Sequence, residues 1–63
     1  MEDKQPSYEV YVKMSARDKE LVLATDDARL AKWTFYGAVV DEQTLFVELR
    51  RKGRIEQRAD KHI

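Results

Sequence analysis

The acids, bases and nucleophiles of this 63-residue chain are few and poorly placed for catalysis. A general base must sit within hydrogen-bond reach of the proton it removes. The single histidine, His62, falls in a polar segment over 60–63 that is expected to be loose. Ser7 and Ser15 offer hydroxyls, but a serine nucleophile needs an ordered base to activate it, and no second histidine exists. Carboxylates adjoin at Asp26-Asp27 and at Asp41-Glu42. Magnesium and calcium need several convergent oxygens, so helix capping accounts better for the first pair and a solvated turn for the second. Cysteine is absent, which removes disulfides and thiolate zinc sites. Gly37 and Gly53 are the only glycines, so no glycine-rich loop is available to cradle phosphate. The expectation is a protein that is not an enzyme and uses no metal or cofactor.

What remains is binding, and three clusters stand out. Arg29, Trp33 and Tyr36 recur at helical spacing, and these residue types dominate interface hot spots. The plainer alternative is that Trp33 caps the edge of a small core. A second cluster is the outer face of a sheet, expected to present Tyr11, Val22 and Phe46 among Glu9, Lys13, Glu20, Glu48 and Arg50. Aromatics on a sheet can stack RNA bases, but the glutamates there repel phosphate. An apolar centre ringed by both charges suits a protein contact, so self-association is assigned to Tyr11, Val22 and Phe46. The third cluster is the basic run Arg50-Arg51-Lys52-Gly53-Arg54, with Arg58 nearby. It could reach an acidic protein surface or a nucleic-acid groove, or only keep an edge strand soluble.

The elements that must position these residues can be read from periodicity. Residues 1–7 hold the only proline and read as a flexible lead-in, followed by one domain over 8–59. Tyr8, Val10, Val12 and Met14 alternate with Glu9, Tyr11 and Lys13, the pattern of a half-buried strand. Ser15 to Asp18 reads as a turn. Glu20 to Ala24 is a second strand with Leu21 and Leu23 on the core side. Thr25 is the expected N-cap of a helix from Asp26 to about Ala38, with Asp26 and Asp27 in its first turn. Ala28, Ala31, Phe35, Ala38 and Val39 form its core stripe, and Gly37 weakens its last turn. A shorter helix followed by a strand over 34–40 is the alternative, because Thr34, Phe35, Tyr36, Val39 and Val40 favour strands.

Leu45, Val47 and Leu49 alternate inward over Thr44 to Arg50, with Phe46, Glu48 and Arg50 outward. Arg51-Lys52-Gly53 is a hairpin turn, and the returning strand Arg54 to Ala59 sets Ile55, Gln57 and Ala59 on the core side. The order ββαββ predicts a small α+β domain, one helix packed on a four-stranded antiparallel sheet.

Composition bounds the function classes. The formal net charge is zero, but residues 1–48 hold six Lys/Arg against ten Asp/Glu, while residues 49–63 hold six against two. Such a dipolar chain can orient on a partner without net charge. A domain this short buries only about 60% of its unfolded surface, which favours a homodimer. No run approaches a membrane span or a signal-peptide core, so a cytoplasmic protein that does not enter membranes is expected. The leading expectation is a protein-binding regulator or inhibitor of a larger protein. It would be of the kind frequent in phages and mobile elements, acting against host enzymes or defence systems in the host cytoplasm. Its contacts would be Arg29, Trp33, Tyr36 and the basic hairpin Arg50, Arg51, Lys52 and Arg54. The second choice is a small dimeric nucleic-acid-binding protein using that hairpin, against which the acidic first 48 residues weigh.

Overall fold

The computed structural model describes residues 6–14 and 18–60. The elements are β1 (Tyr8–Met14), β2 (Glu20–Thr25), α1 (Ala28–Val39), β3 (Thr44–Arg51) and β4 (Arg54–Asp60). All strand pairs are antiparallel, in the order β2-β1-β3-β4, with the apolar strands β1 and β3 at the centre. The helix lies over β1, β2 and β3. This is the expected ββαββ domain, and the longer helix prevails over a strand at 34–40. Ala31 and Phe35 explain that outcome. They bury against Val10, Val12, Val47 and Leu49, with Ala38 and Val39 packed beside them, and tertiary packing of a helical stripe outweighs local strand propensity.

The helix starts two residues later than expected, at Ala28, and its cap is Asp27. Asp27 Oδ1 accepts from the backbone N–H groups of Arg29 and Leu30 at 2.9 and 3.2 Å. Thr25 Oγ1 accepts the Asp27 N–H at 3.0 Å, so the threonine holds the cap instead of being it. Asp26 lies outside the helix and its Oδ1 accepts the Ser7 N–H at 2.8 Å. Ser7 O in turn accepts the Lys52 N–H at 2.9 Å. Ser7 is therefore held at both backbone groups. The strand β4 runs on to Asp60, one residue past the expected domain end. The rest of the lead-in (1–5), the turn residues 15–17 and the tail with His62 lie outside the described residues.

The main departures from simple alternation are three register shifts, each with one extra residue in a strand. Val10 faces Leu23 but Tyr11 faces Leu21, so Val22 is extra. Lys13 faces Phe46 but Met14 faces Thr44, so Leu45 is extra. Leu49 faces Gln57 but Arg50 faces Ile55, so Glu56 is extra. Cross-strand partners share a face, and one extra residue inverts all that follow. Leu21 and Ile55, expected inward, therefore stand on the outer face opposite Tyr11 and Arg50. Glu20, expected outward, pairs with core-facing Val12. Val22 lines a depression with Val12 and Met14 on the helix side. Thr44 takes the buried place expected for Leu45, and its Oγ1 finds no hydrogen-bond partner among the described residues.

The β3–β4 turn is the expected hairpin. Lys52 and Gly53 both take positive φ, 52° and 83°, the signature of a two-residue type I′ turn.

Candidate functional site

A helix of 3.6 residues per turn advances 100° per residue. Leu30, Trp33, Tyr36, Gly37 and Val40 consequently fall within about 120° of arc, opposite Ala31, Phe35 and Ala38 in the core. Trp33 is 75% exposed, Val40 77% and Tyr36 52%, with Leu30 also exposed. Trp33 does not cap the core edge. The helix is apolar on two sides, and the monomer uses only one.

Within this stripe Tyr36 is the held member. Its ring meets Phe35 edge-on at 5.3 Å between centroids, and its hydroxyl accepts from Gln57 Nε2 on β4 at 3.4 Å. Arg29 stands exposed at the beginning of the stripe and Glu42 is exposed just past its end. The expected trio Arg29, Trp33 and Tyr36 is thus brought onto one surface. Sequence reasoning missed Leu30, Gly37 and Val40. Their spacing from Trp33, with apolar or small residues at 30, 33, 37 and 40, was available as a signal.

The outer sheet face is different in kind. Glu48 at its centre is only 3% exposed. Its Oε1 accepts from Arg50 Nη2 at 3.0 Å, Arg50 Nε at 3.2 Å and Lys19 Nζ at 3.4 Å. Arg58 Nη1 lies 3.6 Å from Oε2. The same cations cover the aromatics. Arg50 and Lys19 sit 4.7 and 5.3 Å from the Tyr11 ring centroid, and Arg58 sits 4.6 Å from that of Phe46. Tyr11 and Phe46 share this face, but Val22 stands on the other side of the sheet. The expected self-association set of Tyr11, Val22 and Phe46 is therefore not one surface. Rings already stacked by guanidinium groups are also poor platforms for bases.

That network also divides the basic hairpin. Arg50 and Arg58 are turned onto Glu48, and Arg51 lies 3.9 Å from Glu56. Lys52 and Arg54 remain at the exposed tip, with no ion-pair partner among the described residues. The five cations of 50–54 and 58 are not a single patch.

The shallow depression beside β1 and β2 is lined, among the described residues, by Val12, Met14, Asp18, Glu20 and Val22. It is mainly apolar, and among the described residues its lining holds two carboxylates and no histidine, serine or cysteine. Among the described residues no group of three or more His, Cys, Asp or Glu could hold a metal ion, and no helix is long and apolar enough to cross a membrane. No protein-family model, curated protein sequence or solved structure matches the chain.

Proposed function

We propose that this chain is a non-catalytic protein-binding module, acting as a small regulator or inhibitor of a larger protein, with the outward side of α1 as its contact surface. The observation that supports this reading is Trp33, 75% exposed between Leu30 and Val40 on a helix whose other side already serves the core. Large apolar side chains in a contiguous exposed patch favour a protein contact, and Trp, Tyr and Arg are the types most often decisive in one. The class proposed is a phage or mobile-element inhibitor of a host defence system, working in the host cytoplasm.

The test is quantitative capture by the immobilised full chain from host lysate, comparing wild type with Trp33→Ala/Tyr36→Ala and with Arg51→Glu/Lys52→Glu. The helix variant should stay folded and lose the captured protein, while the hairpin variant keeps it. Equal capture by a folded helix variant would contradict the reading. The nucleic-acid alternative retains one supporting observation, the exposed tip cations Lys52 and Arg54. It requires salt-sensitive binding to mixed-sequence duplex or single strands that the hairpin variant abolishes.

A further inference from the structure

The helix stripe contains a residue that the monomer does not need. Gly37 lies inside α1 without a positive φ, and a Cβ placed on it would meet nothing within 4 Å. Glycine at such a position costs a helix about 0.5–1 kcal/mol relative to alanine. Neither backbone conformation nor crowding among the described residues asks for it. A notch held open at a cost, one turn from a tryptophan that is 75% exposed, leaves room for a large side chain of a second molecule.

The spacing extends the complementarity to the whole stripe. Residues 30, 33, 37 and 40 repeat at three and four, the seam of a pair of packed helices. Antiparallel pairing about a two-fold axis midway between Trp33 and Gly37 brings Trp33 against Gly37 and Leu30 against Val40. The axis repeats each contact, so the patch is its own partner, as an isologous interface requires. The helix dipoles oppose one another in this arrangement. Arg29 at the start of one stripe comes to the acidic end of the other, where Glu42 is exposed.

We propose that this stripe is occupied by the same stripe of a second copy, in an antiparallel helix pair that seats each Trp33 indole on the other copy's Gly37. The inference rests on reading the stripe as a protein-contact surface and names its partner. With Tyr36 and the stem of Arg29 at the rim, each copy contributes on the order of 500 Å², so the pair just reaches the roughly 1,000 Å² of a specific interface. The dimer is accordingly weak, with a dissociation constant in the micromolar range, and it can exchange for a larger protein at the same surface.

The experiment is sedimentation of the full chain from about 1 µM to 1 mM, a range that brackets such a constant, with helix content followed by circular dichroism. Wild type should pass from monomer to dimer. Gly37→Gln fills the notch with a better helix former, so it should keep or raise helix content while weakening the dimer at least about tenfold; Trp33→Ala should weaken it by about thirtyfold or more. Arg29→Glu and Glu42→Arg should each weaken association alone and regain it when the two variants are mixed.

A wild type that stays monomeric overturns the self-pairing but leaves the capture test of the stripe standing. A dimer indifferent to both Gly37→Gln and Trp33→Ala overturns the self-pairing and places association elsewhere. In that case, folded variants that also keep their captured protein count against the protein-contact reading itself.

Discussion

The outer face of the sheet and the outer face of the helix both present aromatic and charged residues, yet only on the helix do the aromatic rings stand exposed. On the sheet, neighbouring strands place Arg50 and Lys19 against Tyr11, Arg58 against Phe46, and all three cations around Glu48. Each polar group there has its partner inside the chain. On the helix, neighbours three and four residues apart are Leu30, Trp33, Gly37 and Val40, and no described cation stacks on Trp33. Similar residue types thus produce an ion-paired network over the rings in one place and an uncovered indole in the other. Neighbourhood decides which, more than composition does.

The comparison makes opposite demands of substitutions on the two faces. Glu48→Ala should have the largest effect on folding, about 2 kcal/mol, because it removes the charged acceptor that Lys19, Arg50 and Arg58 share. Urea unfolding would check it, and a loss below about 0.5 kcal/mol would mean that the network is only a surface arrangement. Next is the hairpin that brings Arg58 to its place. Replacing Lys52, an L-residue at φ 52°, by glycine should relieve about 1 kcal/mol of left-handed strain, while Gly53→Ala should cost about as much. Both would appear as opposite shifts in the thermal midpoint.

Thr44→Val replaces a buried hydroxyl without a described partner and should be neutral or stabilising by about 1 kcal/mol. A clear loss in stability would reveal a partner for Oγ1 outside the described residues. The smallest stability effect belongs to the helix face. Trp33→Ala, measured at low protein concentration, should change stability by less than about 0.5 kcal/mol despite removing the largest side chain in the molecule.

Much of this architecture was legible because the periods of the segments differ clearly. Tyr8 to Met14 alternates, Ala31 to Val39 repeats at helical spacing, and Arg51-Lys52-Gly53 announces its turn. The extra residues Val22, Leu45 and Glu56 were not legible. An alternation count has no way to register a residue that two hydrogen-bonded neighbours bypass, and each such residue moved Leu21, Thr44 or Ile55 to an unexpected side. The cap was displaced for a related reason. Thr25 and Asp27 can both accept backbone N–H groups, and only the geometry shows that Thr25 holds Asp27. In the candidate site, Arg29, Trp33 and Tyr36 were found from residue type and spacing. The closure of the sheet face was not, because it depends on which cation lies across from which ring.

The proposed contact surface requires Trp33 to lie outside the monomer's core. Trp33 is the only tryptophan, so its fluorescence and its quenching by acrylamide across a dilution series address that requirement directly. The expected result is a solvent-exposed, readily quenched indole at low concentration, becoming blue-shifted and protected as concentration rises, with that change moved to at least about tenfold higher concentration in Gly37→Gln. An indole already blue-shifted and protected at the lowest concentration, in wild type and variant alike, would place Trp33 inside the fold and contradict the account.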